Sequence, residues 1–394
     1  MKPRSTLAQG LPRSGIREVL DLARQMDDVI VLVVGEPSFN TPAHIIDAAA
    51  KAAHAGTTKY TPNAGLPGIR AAVAERYSKK FGRTVTPGEV LVTAGAVNAL
   101  AAIVAGIAEE GDEILIPDPG WPNYVSMIGL ARTVPVRYPL HPENGYLPDV
   151  AEIEPIITPR TKAIVINNPS NPTGAVFPEE TVSALVDLAR KHDLWLISDE
   201  VYEDLVFEGE HVPAARFDPD RVITVSGVSK SYAMTGWRIG WAITNPELVA
   251  LSGKIQEALV SCPSAVSQAA AEAAVRGPQD AVEEMRLAYQ RRRDLVREIL
   301  EPVGLLPTIP QGAFYAMVDL RGAGMPSKEL SLKLLEEEHV AAAPGSTFGD
   351  VAEGMVRISL ATADDDLAEG CRRIVRFAER HGALPVAAVG AASA

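Results

Sequence analysis

The sequence has little of several features that mark particular classes of protein. Its 394 residues include only two cysteines, Cys262 and Cys371, which lie too far apart to suggest a disulfide framework or a zinc cluster. No apolar run reaches the about 18–20 residues that cross a bilayer, so we expect no membrane association. Lys and Arg number 37 against 50 Asp and Glu, and no basic stripe is present, so nucleic acid is not an expected partner.

Signals for targeting and for common cofactors are missing as well. The first residues, MKPRSTLAQGLPRSG, are basic but lead into no apolar stretch, so we expect no secretory signal and a cytoplasmic location. A short transit peptide stays an alternative, because the first acidic residue is Glu18. The sequence has no G-x-G-x-x-G, Walker A or H-E-x-x-H run, which argues against a dinucleotide, ATP or a bound metal.

What is present is an ordinary globular composition, 47% hydrophobic and 22% charged, in a chain long enough for two domains. Through its middle, short β-branched runs alternate with helical stretches, which predicts an α/β fold with a mostly parallel, seven-stranded sheet between helices. The predicted helices include Val97–Glu110 and Glu179–His192. The predicted strands are Glu89–Thr93, Glu113–Pro117, Thr133–Arg137, Lys162–Asn167, Leu194–Ser198, Val222–Ser226 and Arg238–Ile243.

The pattern changes after a long charged helix, which is predicted at Met285–Leu300. We therefore predict a large domain, residues 46–290, and a smaller α+β domain, residues 291–394. The N-terminal segment, residues 1–45, is expected to join the small domain. The predicted elements of the small domain are strands at Ala313–Leu320 and Met355–Leu360 and helices at Lys328–Glu338 and Asp364–Arg380.

Small and polar residues follow four of the predicted central strands at their carboxyl ends. In an open parallel sheet, ligands bind beyond those ends, so we expect the four loops to converge on one crevice. The loops are Thr93–Gly95, Asn167–Gly174, Ser198–Glu200 and Ser226–Lys230.

Three side chains in or near these loops suit chemistry on a bound ring. Lys230 follows an apolar strand, and burial would lower the pKa of its amine and suit it to a Schiff base, although a lone lysine is more often solvated. Asp199 emerges from a buried strand, where it could hold a proton on a ring nitrogen or serve only as a cap or ion-pair partner. Tyr202, three residues on, could donate a hydrogen bond to a neighbouring oxygen.

Other residues near the crevice could bind an anion and a planar ring. Gly95–Val97 opens a helix, whose free N–H groups can bind an anion, and Arg238 could add a positive charge. Asn171 lies in the rigid loop NNPSNPTG, and Trp121 lies in DPGWPNY; each could bind a ligand or have a purely structural role. A nucleophilic lysine, a strand-end carboxylate and a phosphate cradle together indicate pyridoxal 5′-phosphate chemistry.

The sequence resembles a known family through six motifs that occur in order: GEPSFNTP, KYTPNAGLPGIR, NNPSNPTG, SDEVY, SKSYAMTGWRIG and MVRISLA. It is similar to the class I and II aminotransferases of the aspartate aminotransferase fold, fold type I, from about Gly35 to Arg373. The resemblance implies a pyridoxal-phosphate-dependent enzyme that moves an amino group from an L-amino acid to a 2-oxo acid through a Schiff base on Lys230. It also implies a homodimer with shared active sites.

The resemblance implies a role for each matching residue. Lys230 looks like the Schiff-base lysine that also shuttles the substrate proton, and Asp199 looks like the partner of the pyridine nitrogen. Tyr202 and Asn171 match the groups that bind the phenolic oxygen, and Asn171 is also expected near the substrate. The remaining matches are Trp121 for ring stacking, Gly95, Ala96, Val97 and Arg238 for the phosphate, Tyr60 for the phosphate of the neighbouring subunit, and Gly35 and Arg357 for the substrate α-carboxylate.

One position departs from the family pattern in the phosphate site. Gly227 stands where many relatives have a serine that binds the phosphate. Ser226 or Ser229 is therefore expected to take over that contact, and the sequence leaves open which of them does so.

A second departure concerns the amino acid substrate. Val97 stands where relatives often have a polar residue, which weakens an expectation of aspartate. The expected walls of the side-chain pocket are Ile16, Val97 and the segment Ser261–Ser264. This mixture favours a neutral substrate.

Two alternatives to an aminotransferase remain at this point. A lyase or synthase of the same fold would use the same cofactor and the same arginine, so the sequence separates it poorly from an aminotransferase. A regulator that senses the cofactor would carry an added DNA-binding domain, but only about 34 residues precede Gly35.

Overall fold

The fold of the chain follows the predicted alternation of strands and helices. The computed structural model describes residues 2, 4–11 and 15–385. Its strands are β1 (Ile30–Val31), β2 (Val90–Thr93), β3 (Glu113–Asp118), β4 (Val134–Pro139), β5 (Thr161–Asn167), β6 (Trp195–Asp199), β7 (Val222–Gly227), β8 (Gly240–Ile243), β9 (Tyr315–Asp319), β10 (Val340–Ala341), β11 (Ala343–Pro344) and β12 (Met355–Ser359). Its α-helices are α1 (Thr6–Gly10), α2 (Gly15–Ala23), α3 (Ala43–His54), α4 (Pro67–Phe81), α5 (Ala96–Ile107), α6 (Asn123–Leu130), α7 (Val150–Ile153), α8 (Glu179–Lys191), α9 (Pro246–Val260), α10 (Ala265–Arg276), α11 (Asp280–Leu300), α12 (Ser327–Glu338) and α13 (Asp364–Arg380).

Seven of the strands form the central sheet, in the order β2–β8–β7–β6–β5–β3–β4. Neighbouring strands pair in parallel except for β8, which runs antiparallel to both β2 and β7. Parallel strands are covered on both faces, so their sequences are near-continuous apolar runs, and β2, β3 and β7 are buried at every residue. The predicted α/β fold with a mostly parallel sheet of seven strands is confirmed.

Alternate residues of the inner strands enter the two hydrophobic layers that flank the sheet. In β5, Ile164 and Ile166 belong to the layer that contains α3, α4, α8 and α10. Ala163 and Val165 belong to the opposite layer, which contains α5, α6 and α9. The pleat of a strand imposes this period of two, and it holds the sheet firmly between its helices.

Several boundaries differ from the prediction, most of them by one or two residues, although the helix predicted from Met285 begins at Asp280, and three of the differences have a clear local reason. The strand predicted from Arg238 begins later, at β8, because Arg238 has a left-handed backbone (φ 55°) that cannot continue a strand. The helix predicted to reach Glu110 ends with α5, because Ala108 is extended (φ −129°). The strand β4 runs on to Pro139, since β4 lies at the edge of the sheet, where proline is tolerated.

The C-terminal third contains a second, smaller sheet, in which β11, β12 and β9 pair antiparallel. The strand β1, from the N-terminal segment, pairs in parallel with β10, so this segment is attached to the C-terminal third. The domain limits at residues 45 and 290 stay a prediction. Over the ranges that the structure describes, no helix combines the length and the apolarity needed to cross a membrane.

Candidate active site

A cavity of about 390 Å³ opens beyond the carboxyl ends of β5, β6 and β7. Residues from all three ends line it, together with the start of α5 and parts of the small sheet, as expected for a ligand site in an open α/β fold. The predicted residues that line it are Ile16, Gly35, Ala96, Val97, Trp121, Asn171, Asp199, Tyr202, Ser229, Lys230, Arg238 and Arg357.

Lys230 lies in the turn that follows β7, with its amine inside the cavity. Its Nζ donates a hydrogen bond to the carbonyl oxygen of Gly35 at 2.7 Å. The same atom lies 5.6 Å from the ring centre of Phe314 and 5.9 Å from that of Tyr202. Burial, assisted by the positive charge of Arg357, lowers the pKa of Lys230 to about 8. A fraction of the amine is therefore neutral, and nucleophilic, near neutral pH.

Asp199 is the last residue of β6 and is buried. The hydroxyl of Tyr124 donates a hydrogen bond to Oδ2 of Asp199 at 2.6 Å. Burial raises the pKa of Asp199 to about 6, and the hydrogen bond from Tyr124 opposes that shift. The carboxylate is thus charged near neutral pH and lines the cavity, which suits it to pair with a cation there. The sequence analysis did not single out Tyr124, although it lies only three residues after Trp121.

Arg357, in β12, is buried with its guanidinium at the cavity wall. The guanidinium carbon lies 4.3 Å from the ring centre of Tyr315 and 4.8 Å from that of Phe348. Nη2 donates to the carbonyl oxygen of Val33 at 2.7 Å, and Nη1 donates to Oδ1 of Asn171 at 3.2 Å. Nε is buried and has no partner among the described residues. Because a buried donor is normally paired, this arginine is arranged to receive an anion from the cavity.

The hydroxyls of Tyr202 and Tyr315 lie 3.1 Å apart in the wall of the cavity. Burial raises the pKa of both phenols, so both stay neutral and able to donate a hydrogen bond. Tyr315 also explains Gly35, because a Cβ atom on that glycine would lie 2.3 Å from the Tyr315 hydroxyl. Tyr315 was missed from the sequence, since its local pattern is that of a core aromatic in a strand.

The start of α5 and Arg238 form a second place that suits an anion. Gly95 precedes the helix with a positive φ of 85°, and the N–H groups of Ala96 and Val97 have no partner within the helix. A Cβ atom on Gly95 would lie 2.5 Å from Nη2 of Arg238, and one on Gly240 would lie 2.4 Å from the Ala96 nitrogen. The two glycines therefore allow the arginine, β8 and the helix start to approach closely, and together they form a cradle.

Some predicted residues do not join the cavity. The hydroxyl of Ser226 donates to Oε1 of Glu203 at 3.0 Å, which argues against the expected phosphate contact; of the two serines, Ser229 is the one that lines the cavity. Tyr60 is 89% exposed and is not among the lining residues of its own chain. The segment Ser261–Ser264 is not among them either.

A group of possible metal ligands lies behind the site, where atoms of Glu200, Glu203 and His211 come within 4.8 Å of one another. The carboxylate of Glu203 is already engaged, because Tyr77 and Lys80 both donate to it, Lys80 at 2.6 Å. The ammonium group of Lys80 would also repel a metal ion. The arrangement is better matched to a buried ion-pair network than to a metal site.

Comparisons with known proteins agree with this geometry. The family model described as "Aminotransferase class I and II" matches residues 27–374. The chain belongs to this family.

Individual relatives match this aminotransferase over nearly its whole length. It is 40% identical to the aspartate/prephenate aminotransferase of Thermus thermophilus, over 96% of its own length and 97% of the relative's. It is also 40% identical to the arginine–pyruvate transaminase of Pseudomonas aeruginosa, over 89% and 90% of the two chains. A solved structure of the Thermus thermophilus aspartate aminotransferase with maleate is similar with a TM-score of 0.91, at 40% identity, and the match covers 95% of this chain and 100% of that one. These relatives are transaminases, so the alternative of a lyase or synthase is not favoured.

The aminotransferase uses pyridoxal phosphate, and the residues of the cavity fit that cofactor. The buried, ionised Asp199 suits a protonated ring nitrogen, and the cradle formed by Arg238 and the start of α5 suits a phosphate. The lowered pKa of Lys230 suits attachment to an aldehyde. The unpartnered Nε of Arg357 leaves a separate position for a carboxylate.

Proposed function

We propose that Lys230 of this aminotransferase both attaches the cofactor and moves the substrate proton. The proposal is supported by the Lys230 amine, which lies in the cavity and donates a hydrogen bond to the carbonyl oxygen of Gly35. The pKa of this amine is lowered to about 8. Bound pyridoxal phosphate supplies an aldehyde that takes up the amino group and a ring that accepts electrons. A neutral Lys230 amine could take the proton from the substrate α-carbon and deliver it to the C4′ carbon of the bound cofactor.

We assign the pyridine nitrogen to Asp199 and the phenolic oxygen to Tyr202 and Asn171. The buried carboxylate of Asp199 keeps a proton on the ring nitrogen because charge pairing is strong away from water. The neutral phenol of Tyr202 can donate to an oxygen, which favours the anionic form of that oxygen. Trp121 packs edge-on against Tyr124, with ring centres 5.4 Å apart, and lines the cavity where it can stack on the ring.

We assign the phosphate to the start of α5, Arg238 and Ser229. The N–H groups of Ala96 and Val97 and the guanidinium of Arg238 provide donors and positive charge for it. The substrate α-carboxylate is assigned to Arg357, with Gly35 and Asn171 beside it. A guanidinium suits that role because it can pair with both carboxylate oxygens at once.

We further propose that the amino donor has an uncharged side chain. The cationic residues that line the cavity in the described part of the chain are Lys230, Arg238 and Arg357, and each already has an assigned role. Around them lie the apolar side chains of Ile16 and Val97. This chain therefore offers no further cation in the cavity to pair with a second carboxylate on the substrate, and burying that carboxylate unpaired would be costly.

A panel of amino donors tests the substrate proposal. Single-turnover absorbance changes of the bound cofactor, measured for aspartate and glutamate against leucine, methionine and phenylalanine, should give higher kcat/KM for the uncharged donors. Val97→Lys should shift the preference towards the acidic donors, and Val97→Leu is the matched control without charge. Higher kcat/KM for aspartate in the wild-type enzyme would overturn the substrate proposal while leaving the transaminase chemistry intact.

We also propose a homodimer whose active sites are shared between subunits. Tyr60 is 89% exposed, and the nearby helix α9 ends with Leu259 and Val260 exposed at 60% and 41%. Thr61 donates its main-chain N–H to Sγ of Cys262 at 3.3 Å, which ties the Tyr60 segment to the end of α9. This apolar surface is suited to a second copy, whose cavity Tyr60 would then complete.

A mixed dimer tests the shared site. Tyr60→Ala and Lys230→Ala are each expected to have little activity alone. Equal amounts unfolded and refolded together should regain about a quarter of wild-type activity, because half of the dimers are mixed and each of these has one intact site. A mixture of Asp199→Asn with Lys230→Ala is the control, and it should regain nothing because both lesions affect the site of their own subunit. No gain in the Tyr60 mixture, with mixed dimers confirmed by mass, would refute sharing.

Finally, we propose that the enzyme works in the cytoplasm. Cys262 and Cys371 are both free, and burial raises the pKa of the Cys371 thiol to about 12, so neither calls for an oxidising compartment. Fractionation of the source cells with antibody detection should place the protein in the cytosolic fraction. Recovery in a membrane or secreted fraction would contradict the proposal.

A further inference from the structure

Asp118 ends β3 outside the set of residues that line the cavity, yet its side chain is almost fully buried at 7% exposure. Oδ2 accepts a hydrogen bond from the main-chain N–H of Asp350 at 3.0 Å, and Oδ1 accepts one from that of Val351 at 3.2 Å. Nη1 of Arg137 lies 3.8 Å from Oδ2. This central-sheet carboxylate therefore holds a loop that belongs to the C-terminal third of the chain.

The loop approaches Asp118 so closely that it admits only a glycine at its centre. Gly349 has a positive φ of 150°, and a Cβ atom there would lie 1.9 Å from Oδ1 of Asp118. Phe348, the residue before it, has a main-chain carbonyl that accepts hydrogen bonds from Gly120 N–H at 2.9 Å and from Nη1 of Arg137 at 3.0 Å. We call this group of contacts the Asp118 clasp.

The Asp118 clasp connects Arg357 with the part of the cavity wall that contains Trp121. Phe348 is fully buried, and its ring lies 4.8 Å from the guanidinium carbon of Arg357. Gly120, whose N–H donates a hydrogen bond to the same Phe348 carbonyl, directly precedes Trp121 in the cavity wall. The clasp thus fixes the position of the arginine relative to the wall against which the cofactor ring would stack.

We propose that Asp118 is a positioning residue for the substrate α-carboxylate, acting through Phe348 on Arg357. The proposal rests on the assignment of Arg357 to that carboxylate in the proposed function. Hydrogen bonds to Val33 and Asn171 hold the two Nη atoms of Arg357, while its Nε has no partner among the described residues. The rings of Tyr315 and Phe348 flank the guanidinium as well, and Asp118 holds the loop whose backbone carries Phe348. An arginine fork binds a carboxylate only over a narrow range of orientations, so a loosened ring weakens binding of the substrate.

Asp118→Asn in the cofactor-loaded enzyme tests the proposal. The amide of asparagine has the shape of the carboxylate but carries no charge. One acceptor oxygen is replaced by an NH₂ group, a donor that would face a main-chain N–H. We expect kcat/KM for amino acids to fall about 10- to 100-fold, the range that a displacement of up to about 1 Å produces, mostly through a rise in KM. The absorbance and the affinity of the bound cofactor should not change.

Asp112→Asn is the matched control, because Asp112 directly precedes the opposite end of the same strand. Asp112 also accepts a main-chain hydrogen bond, from Glu109 at 2.9 Å, and also lies 3.8 Å from a cation, Lys162. It has no contact with the loop of Phe348, so Asp112→Asn should leave kcat/KM unchanged. A similar fall in both variants would show a general loss of stability and would overturn the proposal.

A substrate without the carboxylate separates positioning from a merely structural role. The best donor of the panel is compared with the amine that lacks its carboxyl group, in single turnovers at high amine concentration. Asp118→Asn should slow the amino acid and leave the rate with the amine unchanged. An equal loss with both donors would overturn the proposal.

A second variant keeps the proposal testable if Asp118→Asn fails to fold. Phe348→Leu removes the ring from Arg357 without changing the main-chain contacts of the clasp, and it should show the same selectivity against the carboxylate. In the double variant the two losses should be less than additive, because both act on one arginine. Full additivity would overturn the proposal. If Arg357→Lys leaves KM for amino acids unchanged, the assignment of Arg357 itself is wrong, which is a separate failure.

Discussion

Replacing Asp199 with asparagine is expected to stabilise the cofactor-free protein at alkaline pH while removing its activity. Asp199 is 3% exposed, and burial raises the pKa of its carboxyl from 3.8 to about 6. Asparagine keeps an oxygen that can accept the hydrogen bond from Tyr124 but carries no charge. The substitution therefore isolates the cost of holding a buried charge, which the wild-type enzyme bears because its chemistry needs that charge.

The pH dependence of this cost follows from the direction of the pKa shift. Below pH 3.8 the carboxyl is protonated in both the folded and the unfolded protein, so it adds no pH-dependent term. As the pH rises, the unfolded chain releases this proton first, so the unfolded state binds fewer protons and the free energy of unfolding falls until the folded group has also ionised. A shift of about 2 pKa units corresponds to about 3 kcal/mol, of which about half develops between about pH 5 and about pH 8.

Urea denaturation of the cofactor-free proteins, at equal protein concentration, measures this cost. Relative to wild type, the free energy of unfolding of Asp199→Asn should rise by about 1.5 kcal/mol from about pH 5 to about pH 8, since other titrating groups are common to both proteins. The control is Asp187→Asn, which removes an aspartate whose side chain is 65% exposed and should give little pH-dependent difference. With cofactor, Asp199→Asn should turn over at least about 100-fold more slowly. A stability difference that stays constant or falls as the pH rises would refute the reasoning.

Three further substitutions give sharp outcomes. Arg357→Lys keeps the positive charge but loses the bidentate contact with the substrate carboxylate, so KM for amino acids should rise at least about tenfold in steady-state assays. An unchanged KM would contradict the assignment of Arg357 to that carboxylate. Gly227→Ser introduces the serine that the family resemblance led us to expect at this position, but its Cβ atom would lie 2.9 Å from Cα of Gly240. Thermal unfolding should show a loss of about 1–3 kcal/mol, and a gain in stability would contradict the packing. Tyr124→Phe removes the hydrogen bond that favours the charged form of Asp199, so the pH below which activity is lost should move upwards. A pH–activity profile identical to that of wild type would contradict this role of Tyr124.

The parts of the fold that the sequence predicts are those set by local pattern. Each strand of the central sheet is an apolar run between turn residues, and the predicted positions agree with the structure to within a few residues. The errors arise where tertiary structure decides, as at Arg238, whose left-handed backbone places the guanidinium beside Gly95 and delays the start of β8. The two-residue strands β1 and β10 are too short to leave any period in the sequence.

The candidate site divides in the same way. Lys230, Asp199 and Arg357 stand at strand ends or within motifs, so the residues and the family resemblance together single them out. Tyr315 and Phe348 look like ordinary core aromatics in the sequence, and only the folded chain shows that their rings flank a guanidinium. Ser226 shows the opposite case, since its place in the motif suggested a ligand but its hydroxyl bonds to a buried glutamate.

Attachment of the cofactor to Lys230 can be tested by trapping the bond chemically. The holoenzyme is reduced with borohydride in the absence of substrate, digested, and mapped by mass spectrometry for the pyridoxyl group. We predict a single modified peptide that contains Lys230, and none in enzyme first converted to its amino form by an amino donor. A pyridoxyl group on any other lysine, with Lys230 unmodified, would contradict it.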